Sequence, residues 1–252
     1  MITVALPTWN TPPEMLEEAL GSILAQTDPG FVVALINDGG HELTVDTTDP
    51  RVVSLTLGEN RGVYYCESLV LAACQTEWWT VHAADDWSDP DRFELLLEAA
   101  GPAEAVTSPT IYHNGDNQVF DAVKPRPVGN GKLGTISRHP AHLYRTETLR
   151  SVGIPSDLRG SADTAVVSLF WHRHPVAVVD RPLYHVRKWA GSLTAHPDTA
   201  LSTKWRQLQR HERRRRFAHA LRRGVPLSGF APEPSDVAAL QALLSARKFS
   251  GR

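Results

Sequence analysis

Asp85 and Asp86 stand side by side where an apolar run stops, in Val81-His82-Ala83-Ala84-Asp85-Asp86-Trp87. Two carboxylates this close repel each other unless a cation lies between them. A hard divalent metal with oxygen ligands resolves that repulsion and can hold a substrate phosphate on its open face. The plainer alternative is an acidic turn that caps the next helix. Upstream, Trp78, Trp79, Thr80 and Val81 are aromatic or β-branched over a short span and read as a buried strand. Downstream, Asp89-Pro90 is expected to open a helix as N-cap and first helical residue, with Phe93, Leu96 and Leu97 on one face. The pair therefore falls at the C-terminal end of a strand, where open α/β sheets bind ligands. Asp38, before Gly39-Gly40, and Asp163, at the start of a late helix, hold comparable places. Turn chemistry for the first and helix capping for the second are the competing local readings.

The elements that must hold these residues alternate. Residues 2–6 form a strand pattern, and 12–26 a helix whose Met15, Leu16, Ala19, Leu20, Ile23 and Leu24 follow the helical period. Strands are expected over 31–36 and 52–57, then a helix over 63–74 before the strand at Trp78. Such alternation implies parallel strands joined by right-handed crossovers. Residues 104–141 read as irregular, with turn signals at Asn114-Gly115 and Gly129-Asn130-Gly131, and loops that long are often functional. A helix over 146–152, a loop through Gly160, a helix over 163–171 and a strand over 176–179 follow. A basic helical pattern spans 200–223. A linker over 224–234 leads to a last amphipathic helix over 235–247, whose narrow apolar face suits dimerisation or packing on the body.

The chain's 252 residues can bury a full core as one large α/β domain or one domain with an appendage. No apolar run approaches the ~20 residues of a membrane span. The N-terminus enters a strand pattern with no signal-like stretch. Cys66 and Cys74 lie eight apart on an expected helix, roughly 12 Å by its rise, too far for a disulfide. These features point to a reducing cytoplasm. The net charge of −2 hides a division. Residues 1–199 carry 14 Lys+Arg against 25 Asp+Glu, a balance of −11, whereas 200–252 carry 12 against 3, a balance of +9. The expected organisation is a body over 1–199 and a basic helical extension over 200–252 that forms a separate electrostatic object.

Five segments then fall in a recognisable order. Pro7-Thr8-Trp9-Asn10 ends the first strand, and Asn37-Asp38-Gly39-Gly40 ends the second. Asn60-Arg61-Gly62 precedes a helix, Asp85-Asp86 ends the fourth strand, and Ser161-Ala162-Asp163 opens a late helix after His142-Leu143-Tyr144-Arg145-Thr146-Glu147-Thr148-Leu149. Over about residues 2–195 this order is similar to that of the family 2 inverting glycosyltransferases of the GT-A fold. Ser22-Ile23-Leu24-Ala25-Gln26-Thr27 matches that family's Ser-Ile-Leu-x-Gln-Thr helix end residue for residue.

The resemblance implies a GT-A fold, Rossmann-like with a mostly parallel sheet, and roles for particular residues. Pro7, Thr8, Asn10 and Asp38 would bind the donor nucleotide, with Asp38 accepting the N3–H of uracil, an edge thymine also offers. Asp85 would hold ribose or a metal-bound water, and Asp86 an Mg²⁺ or Mn²⁺ ion bridging the diphosphate of a nucleotide-sugar donor. Asp163 would be the general base that deprotonates an acceptor hydroxyl. The chain departs from the family at four positions. Ala83 replaces the first Asp of the metal string, Ala162 a common Glu, Glu67 a common Arg, and Trp189 a common His. If a His completes the metal's ligands, His185 is the nearby candidate, and otherwise water or phosphate fills the position. Arg187 with Lys188 would clamp the diphosphate from a mobile loop, the plainer alternative being a solvated loop.

The arginine-rich segment 204–223 reads as a solvated helix packed on the acidic body or against a second subunit. Its sharper reading is a surface for an anionic partner, nucleic acid or a lipid headgroup at a membrane face. The acceptor itself, whether glycan, protein or modified nucleic acid, has no signature. Two functions from different classes therefore stand. One is a metal-dependent inverting glycosyltransferase. The other is a non-catalytic module that keeps the fold and gains a basic arm. Joint retention of Asp38, Asp85, Asp86 and Asp163 favours the enzyme. A nucleotidyltransferase is the weaker third reading, because no glycine-rich triphosphate loop follows strand one.

Overall fold

A computed structural model describes residues 1–114, 116, 118–126, 137–198, 202–227 and 229–247. The first half alternates as its apolar periodicity requires: β1 Ile2–Thr8, α1 Pro13–Leu24, β2 Phe31–Asn37, β3 Val52–Thr56, α2 Val63–Ala73 and β4 Trp78–Val81. Next come β5 Trp87–Ser88, α3 Arg92–Ala100, β6 Ala105–Thr107, β7 Thr110–His113, β8 Val119–Val123, β9 His142–Arg145 and α4 Thr146–Val152. The chain closes with α5 Ala162–Arg173, β10 Val176–Val178, β11 Tyr184–Arg187, α6 Lys204–Arg223 and α7 Pro234–Ser245.

Seven strands form the central sheet in the order β10-β6-β9-β4-β1-β2-β3. Pairing within β1–β4 is parallel, so four adjacent C-terminal strand ends open on one edge. β9 is antiparallel to both β4 and β6, which makes the sheet mixed but mostly parallel. Alternate residues of the central strands face opposite layers. Val32, Ala34 and Ile36 pack under α2, α5 and α7, whereas Phe31, Val33 and Leu35 pack under α1 and α3. Burial on both faces explains why these strands are continuously apolar.

Three expectations change. The stretch 104–141, expected to be irregular, contains β6, β7 and β8, and β7–β8 turns through Asn114, whose side chain accepts from the Gln118 N–H at 2.8 Å. The Gly129-Asn130-Gly131 signal and Gly115 lie outside the described residues. Arg187, expected with Lys188 in a mobile loop, instead ends β11, a strand between β5 and β7 in a second sheet of order β5-β11-β7-β8. Helix α3 starts at Arg92 rather than Pro90, with no side-chain cap. Asp89 and Asp91, the available caps, are both held by Arg181. Gln26 takes over instead, its carbonyl accepting the Phe93 N–H at 2.9 Å while its amide donates to the Asp89 carbonyl at 2.7 Å. The Ser-Ile-Leu-x-Gln-Thr helix end thus fixes the exit of the Asp85-Asp86 loop.

The basic extension folds back on the body. Phe217 and Ala220 of α6 and Leu240 and Leu244 of α7 join the core cluster of α2 and α5. The apolar face of α7, open in sequence to dimerisation or packing, is packed on the body, and Tyr65 donates to Asp236 at 2.7 Å. Cys66 and Cys74 are buried free thiols. Among the described residues no helix is long and apolar enough to cross a membrane.

Two fully buried histidines are neutral by geometry. His142 donates from Nδ1 to the Arg138 carbonyl at 2.8 Å and accepts the Trp171 indole N–H on Nε2 at 3.1 Å. His82 donates from Nδ1 to the Ala83 carbonyl at 2.8 Å, leaving Nε2 to accept from Ser88 at 3.0 Å. Burial lowers both to about 3. The unfolded chain therefore binds more protons than the folded one between pH 6.5 and 3. The stabilisation is complete above pH 6.5 and is lost as pH falls toward 3. Thermal and urea unfolding should weaken on acidification, and His142→Gln should flatten the slope between pH 4 and 6 by about 1.4 kcal/mol per pH unit. An unchanged slope would contradict a neutral buried imidazole.

Candidate active site

The C-terminal ends of β1, β2 and β4 deliver the first residues of the site. Pro7 and Thr8 end β1 and are buried, and the Thr8 carbonyl accepts the Asp38 N–H at 2.9 Å. Asn10 is exposed in a left-handed conformation (φ 52°), and its side-chain oxygen accepts the His41 N–H at 2.8 Å. It therefore staples the loop after β1 to the loop after β2. Asp38 is 3 % exposed. One carboxylate oxygen accepts the Arg61 N–H at 2.6 Å and the other the Gly62 N–H at 2.7 Å. Burial pushes this carboxyl above its usual range, opposed by those two amides, the Cys66 thiol and Arg159. The carboxylate assigned by resemblance to a uracil edge thus faces the backbone that opens α2. Gly39 has φ 68°, and a Cβ there would lie 2.3 Å from the Glu59 backbone carbon, so the two loops meet with no room for a side chain.

Asp86 is 3 % exposed while Asp85 is half-buried. Asp85 accepts the Trp189 indole N–H at 2.8 Å. Asp86 accepts the Arg187 backbone N–H at 2.9 Å and is also bonded by the Tyr184 hydroxyl. Burial, then the neighbouring Asp85, raise its carboxyl to about 7, against the charge of Arg138 and those two donors. Tyr184 also accepts the Ala83 N–H at 3.1 Å, so one phenol fixes both ends of the acidic turn.

His185 and Arg187 are placed differently from expectation. The His185 ring bonds Asp89 at 2.9 Å and His113 at 2.9 Å and stacks on Trp87, so both nitrogens are committed away from Asp85 and Asp86. The Arg187 side chain pairs with Glu18 of α1 and lies 5.0 Å over the Trp87 ring. It is the Arg187 backbone, in a regular strand, that touches the acidic pair. Lys188, half-buried over Tyr112, lies within electrostatic reach of Asp85 and Asp86. Among the described residues no cluster of three or more His, Cys, Asp or Glu could hold a metal ion. Two adjacent carboxylates remain. They fit a hard cation of the Mg²⁺ type, which binds through one or two carboxylates and takes its other oxygens from phosphate and water.

Asp163 lies in the first turn of α5, one residue inside the helix rather than at its cap, which is Ser161. Tyr64, in the first turn of α2, bonds its carboxylate at 3.2 Å. Asp38 therefore reaches Asp163 through structure, by fixing Arg61 and Gly62, which start the helix that carries Tyr64. Arg138 lies within electrostatic reach of both Asp86 and Asp163. Sequence reasoning missed Tyr64, Tyr184 and Arg138. Each reads as core or surface until the fold brings its partner from tens of residues away.

A family model described as "Glycosyl transferase family 2" matches residues 3–155. No curated protein matches the chain in sequence. Among solved structures, Staphylococcus aureus TarS 1-349 in complex with UDP-GlcNAc is similar at TM-score 0.66 and 17 % identity, covering 99 % of this chain and 72 % of that one. The same protein in complex with UDP gives 0.65 and 16 %, with the same coverage. A longer TarS structure gives 0.64 and 15 %, with 99 % of this chain spanning 43 % of it. At these identities the likeness is one of fold. The family match includes Thr8, Asn10, Asp38, Asp85 and Asp86, and ends before Asp163.

The Asp38 geometry carries a direct consequence. Asp38→Asn replaces one acceptor oxygen by an N–H₂ group facing a buried amide, which should lower stability by about 1–3 kcal/mol in urea denaturation. Unchanged stability would show that the carboxylate does not hold the Arg61–Gly62 turn.

Proposed function

The chain belongs to glycosyl transferase family 2, and on that premise we propose that it moves a sugar from a uridine diphosphate sugar to an acceptor hydroxyl by direct displacement. The observation that supports this reading is the buried Asp86 beside Asp85 after β4, with the start of α5 near enough that the Arg138 guanidinium lies within electrostatic reach of both Asp86 and Asp163. Uridine rests on the UDP and UDP-GlcNAc in the TarS structures of the same fold. The pyrimidine would lie against Pro7 and Thr8 and the Arg61–Gly62 backbone, with Asn10 and Asp38 fixing those loops. Arg187 contributes its backbone to the site, and Lys188 is the cation nearer the diphosphate.

Asp85 and Asp86 would hold Mg²⁺ or Mn²⁺ together with the donor's phosphates, and that ion would neutralise the leaving diphosphate. His185 is left out of this set, because Asp89 and His113 engage it. Tyr64 orients the Asp163 carboxylate, which takes the proton of the acceptor hydroxyl. The acceptor oxygen forms its bond to the anomeric carbon while the bond from that carbon to the diphosphate oxygen breaks, and the electron pair leaves on UDP. Attack opposite the diphosphate inverts the anomeric centre.

Calorimetry and turnover with UDP-GlcNAc as donor test the two halves separately. Asp163→Asn should reduce kcat by roughly 10²–10⁴-fold with donor affinity unchanged. Asp86→Ala should weaken UDP binding more than Asp163→Asn does, and EDTA should weaken it in the wild type. Equal UDP affinity with and without EDTA removes the metal role from Asp85 and Asp86. Wild-type turnover by Asp163→Asn removes the base.

The outward face of α6 exposes Lys204, His211, Arg214, Arg215, Arg222 and Arg223, and we propose that it recruits an anionic acceptor. Arg214, Arg222 and Arg223 changed together to Gln should spare donor hydrolysis and reduce binding to polyanions. The wild-type affinity should fall steeply with salt through counterion release. Salt-independent binding, or no loss in the triple variant, contradicts that role.

A further inference from the structure

The inner face of α6 meets the start of α5. Ser161, the residue before that helix, is not glycine yet sits at φ 66° and ψ 14°, and its side chain makes no capping bond. A left-handed conformation costs an L-residue on the order of 1 kcal/mol and persists only where surroundings impose it. Arg206 donates from one guanidinium nitrogen to the Ser161 hydroxyl at 3.4 Å and from the other to the Leu193 carbonyl at 2.6 Å. Arg213 donates to the Ser161 carbonyl at 3.3 Å. The two arginines are 2 % and 8 % exposed. The packing leaves no slack, because a Cβ on Gly160 would lie 2.5 Å from Arg206 and 2.9 Å from the Trp205 ring. Two residues after Ser161 comes Asp163.

We propose that Arg206 and Arg213 are positioning residues for the transfer reaction, holding Ser161 left-handed and so fixing the direction and charge environment of Asp163. The inference rests on the reading of Asp163 as general base. It makes α6 part of the catalytic unit rather than an appended arm. Within electrostatic reach of Asp163 are Tyr64 and Glu67 from α2, Tyr144 from β9, Arg138 four residues before β9, and Arg206 and Arg213 from α6. Burial pulls both α6 guanidiniums below their ordinary range, opposed by Tyr64 and Asp163.

Hydrolysis of UDP-GlcNAc by the full chain provides the assay, with donor affinity read by calorimetry. Arg213→Gln should lower kcat about 10²-fold, the cost of a misplaced group, with donor affinity unchanged. The acidic limb of its kcat profile should move to higher pH, because a cation beside a carboxylate is gone. Adding Ser161→Gly should restore much of the rate without returning the limb, since glycine adopts positive φ without strain. Arg213→Lys, which keeps the charge and loses the fork, should lower kcat with the limb unmoved, and it tests the proposal if the Gln variant does not fold. Wild-type kcat in both Arg213 variants, no recovery with Ser161→Gly, or parallel loss of donor affinity overturns the proposal. Asp163→Asn run alongside separates the two claims. An active Asp163→Asn removes the base reading, whereas an inactive one beside normal Arg213 variants removes only the positioning role.

Discussion

Asp86 is a carboxylate 3 % exposed, next to a second carboxylate, in the turn that follows a strand whose four residues are all buried. Desolvation and the neighbouring charge both oppose its ionised form. What surrounds it follows from that opposition. The Arg187 N–H and the Tyr184 hydroxyl come from β11, so the second sheet must lie under the acidic turn for Asp86 to have donors. Arg92, fully buried, lies 5.0 Å over the opposite face of the problem, the Tyr184 ring. Its guanidinium bonds Ser88 and Thr80 at 3.1 Å each and so ties α3 to β4 and β5. Asp85 is steadied by Trp189. In the proposed function a cation with the donor's phosphates would offset that charge.

The parallel half of the fold was legible because β1, β2 and β4 are buried on both faces and α1 and α2 carry helical apolar patterns. The strands between 105 and 123 were not, since β6 has three residues and β7 and β8 four and five, too few for a period to emerge. β11 was hidden by its composition. Tyr184, His185 and Arg187 read as polar loop, yet each side chain answers a partner from an earlier segment, namely Asp86, Asp89 and Glu18. In the site, the aspartates could be found because they mark strand ends and helix starts. Their partners could not, because Tyr64 meets Asp163 across 99 residues and Arg213 meets Ser161 across 52.

The departures from the family pattern look less like losses once placed. Ala162 is fully buried in the core shared with α2, where a longer side chain would have to displace packing. Trp189 offers Asp85 an indole N–H, a donor only, so it orients a carboxylate and cannot ligate a metal. The arginine-rich extension divides by face. Arg206 and Arg213 are buried at Ser161, and Arg216 pairs with Asp157 at 2.6 Å, while the exposed arginines point outward. A charge census along the sequence sees only their sum. A non-catalytic module would have no need of a carboxylate bonded by Tyr64 near an acidic turn that holds the buried Asp86.

In the proposed reaction the sugar is displaced without a covalent intermediate, and Asp163 accepts the proton. Proton NMR during hydrolysis of α-linked UDP-GlcNAc tests it without requiring the natural acceptor, because water takes the acceptor's place. The account predicts that the β-anomer of the released sugar appears first and then mutarotates. First appearance of the α-anomer would contradict it.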